Sequence, residues 1–331
     1  MASTWYLDSG YFDITRLDRY NIPFSFVVGG RGVGKTFGAL QYVYKNNKRF
    51  VYLRRTQTEI DLITQPAYNP FKPITQDVTV RKLTKYSAGF YVNDNCIGYS
   101  LALSTVSHIR GFDASDVDYI IYDEFIPEEH ARPIKAEGAA LLNCYETINR
   151  NRELANKSPV KLWCFANANK LNNPVFLSLG LINQVMKMQD NQQEFFIDNN
   201  RGFLILLLSH SPISTAKKQT ALYRLAHGTG FDTMAIDNKL ISEGIATIGS
   251  RKLAEYTLLC SIGEISIYRH KSKREYYVTT HKAGTAPEFT TATADIVRFH
   301  RKYSWLFDAY LSGNIVFETI SDEYILTELL M

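Results

Sequence analysis

Cysteine is scarce in this chain, long apolar runs are missing, and no set of side chains has metal-ligand spacing. Each shortage removes a class of function. The four cysteines, Cys96, Cys144, Cys164 and Cys260, are widely scattered and form no C-x-x-C pair. Neither a zinc site nor a disulfide framework is expected, and a reducing, intracellular setting fits. A membrane span needs about 18 apolar residues in a row. The longest run here, Phe203-Leu204-Ile205-Leu206-Leu207-Leu208, is core-sized. Residues Met1 to Tyr6 lack the charged-then-apolar plan of a signal peptide. The histidines show no ligand spacing, and no internal repeat or low-complexity tract is visible. Neither sign of charge dominates: 37 Lys and Arg against 33 Asp and Glu leave a net charge of +4, which permits a polyanionic partner without requiring one.

What is present is an ordinary soluble composition, 45% hydrophobic and 21% charged, in 331 residues, enough for two domains or one large one. The informative stretch is Gly29-Gly30-Arg31-Gly32-Val33-Gly34-Lys35-Thr36, which fits the P-loop pattern G-x-x-x-x-G-K-[S/T] at every fixed position. Phe24 to Val28 before it reads as a short buried strand, and Phe37 to Val43 after it as the first turns of a helix. In that context the glycines let backbone N–H groups curl around phosphates, and the helix N-terminus adds its partial positive charge. Lys35 would reach the β- and γ-phosphates of ATP, and the Thr36 hydroxyl would ligate Mg²⁺.

From residue 22 to about 180, short apolar strands alternate with helical stretches, the pattern of a mostly parallel α/β sheet. Phe50 to Arg54 is a second strand, and Gly89 to Tyr99 reads as a hairpin turning at Asn93-Asp94-Asn95. Leu101 to Ser104, Val117 to Tyr122 and Val160 to Ala166 are further strands, and Glu137 to Arg152 has helical spacing. Around 190–220 the chain turns polar and rich in Ser, Thr and Lys, which marks a domain boundary. Beyond it, Tyr256 to Ser261, Gly263 to Tyr268 and Tyr276 to Thr279 are strand-like. Thr291 to Leu311 is helical, so this part is α+β.

The strand Ile120-Ile121-Tyr122 ends in Asp123-Glu124. Delivered to the sheet edge beside the P-loop, Asp123 would hold Mg²⁺ through a water and Glu124 would polarise the attacking water. An adjacent Asp and Glu favours an ATPase; the base-reading Asn-Lys-x-Asp of many GTPases is absent. Arg150 and Arg152 end the following helix. Their plainer role is to complement its dipole; the sharper one is a trans finger, Arg150 first and Arg152 as helper, reaching a neighbour's γ-phosphate in a ring. Asn167 follows the next strand, where a γ-phosphate sensor or a simple turn residue would sit. Arg54 and Arg55 could sense nucleotide, pair with Glu124 between cycles, or be solvated. Ser104 to Arg110-Gly111 could couple nucleotide state to the sheet or be a plain loop. In the second domain, the basic clusters with Arg269, Lys271, Lys273 and Arg274, and with Arg301 and Lys302, are either solvated faces or nucleic-acid contacts.

With these residues in order the chain resembles the DNA-packaging ATPases of small, phi29-like tailed phages. That group is related to large terminases and to the additional-strand P-loop translocases. The supporting string is Gly29 to Thr36, Val51 to Arg55, the Phe90 to Gly98 hairpin, Asp123 to Ile126, Leu141 to Asn143 and Thr147 to Glu153. It continues through Asn167-Ala168, Arg224 to Thr229 and Asp237-Asn238. The resemblance implies an α/β P-loop ATPase domain over 1–197, a linker or lid over 198–226, and a smaller C-terminal nucleic-acid-binding domain over 227–331. That last domain would resemble an RNase H-type nuclease that has lost its acidic cluster. Asp232, Asp237, Asp295 and Asp308 form no convincing metal set there. The family's catalytic roles carry onto Lys35, Thr36, Asp123, Glu124 and Arg150. The resemblance also implies ATP and Mg²⁺, double-stranded DNA, a prohead portal, a structural packaging RNA and a homopentameric ring without membrane contact. Action would be in the host cytoplasm, transiently at the portal vertex, and the protein would be absent from the mature virion. Rival readings are a terminase-like ATPase with an active nuclease, a nucleotide-gated assembly protein with little turnover, and a helicase.

Overall fold

In a computed structural model the chain is described at residues 5–109, 111–128, 131, 134, 136–168, 171, 173–208, 211–217, 219–225 and 248–330. It divides into two compact units, Met1–Ile241 and Ser242–Met331. In the first unit a short helix α1 (Ile14–Arg19) precedes β1 (Phe24–Gly29), α2 (Lys35–Lys45), β2 (Phe50–Arg54) and α3 (Gln57–Ile63). An antiparallel meander follows, β3 (Val78–Thr84), β4 (Ser87–Val92) and β5 (Asn95–Ala102), then β6 (Tyr119–Asp123), α4 (Glu137–Asn149) and β7 (Lys161–Ala166). Helices α5 (Pro174–Ser178) and α6 (Ile182–Asp190), strands β8 (Phe195–Asp198) and β9 (Phe203–Leu208), and helices α7 (Pro212–Lys217) and α8 (Ala221–Leu225) complete it.

Among the described residues the strands form one sheet in the order β3-β4-β5-β2-β6-β7-β1-β9-β8. From β5 to β9 every pairing is parallel. β7 is inserted between the P-loop strand β1 and the acidic strand β6, the additional-strand arrangement that the resemblance implies. Burial explains why these runs become strands: all five residues of β6 and all six of β9 are buried, as in parallel strands covered on both faces. Trp163 packs edge-on against Tyr42 of α2 and beside Tyr119 of β6, tying helix to sheet. Asn93 and Asp94 turn the β4–β5 hairpin at φ of 47° and 68°, the left-handed pair that a two-residue hairpin turn demands.

The register sets the site. Asp123 lies level with Phe165 on β7, which lies level with Val27 on β1. Hence β1, β2, β6 and β7 end together. Gly29, Arg54, Asp123 and Ala166 share the edge where ligands of open α/β sheets bind.

In the first unit two expectations change. The linker expected over 198–226 is partly sheet: Phe203–Leu208 is β9, hydrogen-bonded along the whole of β1. Six apolar residues cannot stay in a solvated connection, and burying each stabilises by about 1.5–3 kcal/mol. Leu101 and Ala102 end β5 rather than starting a strand of their own, and Leu103–Ile109 is a 3₁₀ turn. The β3 edge is an addition to the expected strands, because most of Val78–Thr84 is exposed and carries no continuous apolar signal.

The second unit has its own sheet, in the order β13-β10-β11-β12-β14. β10 (Tyr256–Ile262), β11 (Ile265–His270) and β12 (Tyr276–Thr279) form an antiparallel meander. β13 (Glu288–Phe289) runs parallel to β10, and β14 (Ile315–Phe317) parallel to β12. Phe299 and Tyr303 of α9 (Thr293–Tyr303), Leu306 of α10 (Trp305–Leu311) and Leu326 of α11 (Ile320–Leu330) pack with Ile262, Ile267, Val278 and Phe317 into its core. The single helix expected over Thr291 to Leu311 is two helices that meet at Ser304. Among the described residues no helix is long and apolar enough to cross a membrane.

Candidate nucleotide site

The loop between β1 and α2 turns because Gly32 and Gly34 take φ of 69° and 90°, values that side chains resist. Lys35 opens α2 and folds back into the loop. Its Nζ donates to the Gly29 and Gly30 carbonyls, both at 2.8 Å, and reaches Asn167 Oδ1 at 3.5 Å. Burial, reinforced by neighbouring cations and opposed by Asp123 and Glu124, pulls this ammonium down to about 7. Thr36 Oγ1 donates to Asp123 Oδ1 at 2.7 Å. A cleft of about 470 Å³ is lined by Arg31, Gly32, Gly34, Lys35, Thr36, Phe37, Asp123, Glu124, Ala166 and Asn167. Thus the structure brings Gly32 to Thr36, Asp123, Glu124 and Asn167 to one place; Gly29 and Gly30 supply the carbonyls beneath Lys35, and Val33 is fully buried.

The acids are not free-standing. Asp123 Oδ2 accepts from Tyr52 Oη and from Arg54 Nη1, both at 3.0 Å. Arg54 Nη2 donates to Glu124 Oε2 at 2.7 Å, and its Nε to Glu59 Oε1 at 2.9 Å. Glu59 is itself anchored by the Thr56 amide at 2.7 Å, in the capping box that starts α3. Glu124 stands at φ of 58° and Arg150 at 48°, strained positions for non-glycine residues of a kind that cluster at functional sites. Arg55 points elsewhere: Nε and Nη2 grip Glu137 at 2.7 and 2.8 Å, both residues buried, with Tyr122 Oη donating to the same carboxylate at 3.1 Å.

The residues fit a hard cation. A hydroxyl and a carboxylate converge at 2.7 Å, and Mg²⁺ takes oxygen donors, one or two from protein and the rest from water and phosphate. No group of three or more His, Cys, Asp or Glu side chains that could hold a metal by themselves occurs among the described residues.

The family model described as podovirus DNA encapsidation protein (Gp16) matches residues 7–298. The chain belongs to this family. It is 25% identical over 295 residues to a DNA packaging protein of Bacillus phage phi29, covering 86% of this chain and 84% of that one. The corresponding protein of Bacillus phage PZA gives the same figures. Its fold is shared with a chain of the Phi-28 gp11 DNA packaging motor, at 22% identity and a TM-score of 0.66 over 97% of this chain and 98% of that one. A chain of the bacteriophage Phi-29 viral genome packaging motor assembly gives 22% identity and a TM-score of 0.65, over 96% and 98%.

In this member of the family the two candidate finger arginines contact the loop before β6. Arg150 Nη2 donates to the Phe112 carbonyl and Arg152 Nη2 to the Ser115 carbonyl, each at 2.9 Å. Neither contact joins the network around Lys35. Arg110, Asp232 and Asp237, and Ala226 to Thr229 of the quoted string, lie outside the described residues. In the second unit Arg269 is the penultimate residue of β11, and Lys271, Lys273 and Arg274 occupy the turn to β12, all exposed. His270 Nδ1 shapes that turn by accepting from the Ser272 and Lys273 amides, both at 3.1 Å. Arg301 and Lys302 lie exposed near the end of α9. Asp295, in the first turn of the same helix, accepts from the Thr290 amide and hydroxyl, both at 2.8 Å, and Asp308 is exposed on α10.

Sequence reasoning missed three contributors. Tyr52 shares a strand face with Arg54, an alternation visible in Val51-Tyr52-Leu53-Arg54. Glu59 was readable only as a capping residue. The segment before β1 clasps the loop from outside: the Phe12 amide donates to the Val33 carbonyl at 2.9 Å, and Tyr11 lies against Gly34. Beside it opens a largely apolar cavity of about 630 Å³, lined in part by Leu7, Tyr11, Phe12, Phe37 and Gln41.

Proposed function

We propose that this protein is the ATP-driven motor that moves double-stranded viral DNA into a preformed prohead. The observation that carries the reading is the single cleft in which Lys35, Thr36, Asp123, Glu124 and Asn167 converge, in a chain of the DNA-encapsidation family. The triphosphate tail of ATP enters the 29–36 loop, where Lys35 exchanges the Gly29 and Gly30 carbonyls for phosphate oxygens. The base lies in the neighbouring apolar cavity, between Tyr11 and Phe37. Thr36 directly and Asp123 through a water would hold Mg²⁺, which when bound would supply charge neutralisation at the phosphates. Glu124, released from Arg54, takes a proton from the water that attacks the γ-phosphorus. The bond from that phosphorus to the bridging oxygen breaks, leaving ADP and phosphate. Asn167 reports the state of the γ-phosphate to β7, and Arg150, assisted by Arg152, serves the neighbouring subunit of a ring.

The exposed cations of the second unit, Arg269, Lys271, Lys273 and Arg274 with Arg301 and Lys302, suit sequence-independent contact with phosphates, as a packaging motor requires. A meander with a parallel fourth strand is compatible with a nuclease-like ancestry that now serves binding. A homopentamer at the portal vertex, bridged by a structural packaging RNA and acting in the host cytoplasm before leaving the finished virion, completes the proposal.

The test is the steady-state ATPase rate with and without long double-stranded DNA, at low and moderate salt, in mixtures of wild type with Arg150→Ala. Strong stimulation, with mutant subunits poisoning the activity more steeply than dilution, is expected. Absence of stimulation, with loss proportional to dilution even when proheads are supplied, would remove the motor reading.

A further inference from the structure

A second ammonium lies over the P-loop, from a segment that no motif marks. Helix α7 follows β9, the neighbour of β1, and ends at Lys217. Lys217 Nζ donates to the Arg31 carbonyl, its acceptor among the described residues. The ammonium is so close to the loop that a Cβ built on Gly32 would sit 2.6 Å from it. The helix is anchored at its other end. Pro212 and Ile213 pack on Gly10, in the same N-terminal segment that clasps the loop through Phe12 and Val33. The aim of Lys217 is therefore set by two contacts with the frame of the nucleotide site.

Its charge balance points to an anion. Lys35, Arg31 and Lys217 bring three positive charges to one short loop. Burial disfavours the charged form of Lys217, and its charge in turn opposes that of Lys35. The nearby acids are already engaged: Asp123 by Thr36, Tyr52 and Arg54, Glu124 by Arg54, and Glu128 by Arg31. A backbone carbonyl is a weaker partner for an ammonium than a phosphate oxygen, and a lysine carries three donors. Lys217 is thus held on a carbonyl at the place where the polyphosphate would arrive.

We propose that Lys217 is a second cationic arm of the nucleotide site, leaving the Arg31 carbonyl for the terminal phosphate of a nucleoside triphosphate and so tying α7 to the presence of that phosphate. The inference rests on the reading of residues 29–36 as a nucleotide cradle. It gives the segment between the P-loop sheet and the start of the second unit a direct report of triphosphate against diphosphate.

The experiment is equilibrium binding of ATP and of ADP, each with Mg²⁺, to the full chain, read by displacement of a fluorescent nucleotide. Wild type, Lys217→Ala and Lys217→Arg are compared. Lys217→Ala is expected to lose about tenfold in ATP affinity, the size of one charge-assisted contact, and less than about twofold for ADP. Lys217→Arg is expected to keep most of the ATP affinity. Equal losses for both nucleotides, or none for either, would make Lys217 a strut of the empty loop and overturn the proposal. A wild-type chain that bound neither nucleotide would instead remove the cradle reading beneath it.

Discussion

Arg54 holds Glu124 at 2.7 Å with one guanidinium nitrogen while the other lies 3.0 Å from Asp123. One side chain at the end of β2 therefore restrains both acids of the candidate site, and Glu59 restrains that side chain. In this arrangement Glu124 is paired with a cation. Replacing Glu124 with Gln removes the base and keeps the shape. ATP affinity should stay within about threefold of wild type while turnover falls by about 10²–10⁴-fold. Nucleotide binding and phosphate release measured on the same preparation check this; undiminished hydrolysis would take the role away from Glu124.

The buried pair of Arg55 and Glu137 is a second, structural use of the same strand end. It joins β2 to the first turn of α4 with two hydrogen bonds and a third from Tyr122. Glu137→Ala leaves a buried guanidinium without its carboxylate and should cost roughly 3–5 kcal/mol. The double change Arg55→Met with Glu137→Leu should recover much of it, because two desolvated charges vanish together. Denaturant unfolding of wild type and both variants decides. A Glu137→Ala protein as stable as wild type would show that the pair contributes nothing.

How far the sequence carried depends on whether a signal was local. The β1–loop–α2 unit is spelled out within one stretch, Phe24 to Val43, and β6 announces itself by apolar residues ending in Asp123-Glu124. Apart from Glu59, the acids that Arg54 and Arg55 meet are not local. Which carboxylate each meets depends on β2 lying beside β6 and on where α4 starts, and the two neighbours end up on different acids. Phe203–Leu208 was readable as core but not as a strand of the first sheet, since an apolar run does not say which strand it pairs with. The break at Ser304 carries no proline or glycine to mark it.

Asp18 offers a test by pH. Burial alone would raise its carboxyl, but hydrogen bonds from Lys161, Tyr42 and Tyr119, together with the Lys161 charge, outweigh this and hold it below the usual carboxylate range. The contacts are 2.7, 2.7 and 2.8 Å, and they fasten α1 to α2, β6 and β7. A depressed carboxylate contributes stability above its unfolded value near 3.9, which is lost as pH falls through the folded value. Asp18→Asn should therefore destabilise by about 1–3 kcal/mol at neutral pH, and the gap from wild type should narrow progressively as pH falls below about 4. Paired unfolding curves at neutral pH and at about pH 3.5 would show it; a gap independent of pH would mean that packing, not charge, is what Asn disturbs.

The turn from β11 to β12 tests the nucleic-acid reading of the second unit. Lys271, Lys273 and Arg274 are exposed there, on a turn that His270 shapes through the Ser272 and Lys273 amides, with one further tie from Lys271 Nζ to the Ala254 carbonyl at 2.6 Å. Changing all three to Glu should leave the turn folded and ATP binding untouched. If they meet phosphates, affinity for long duplex DNA should fall by about tenfold or more, and the plot of log affinity against log salt should become shallower by about 0.9 for each phosphate no longer neutralised. Side chains that read bases would instead change the preference among sequences, whereas those that meet phosphates weaken all sequences alike when removed. An unchanged affinity with an unchanged salt slope would make the cluster a solvated face, and would shift the search for the DNA grip to the first unit.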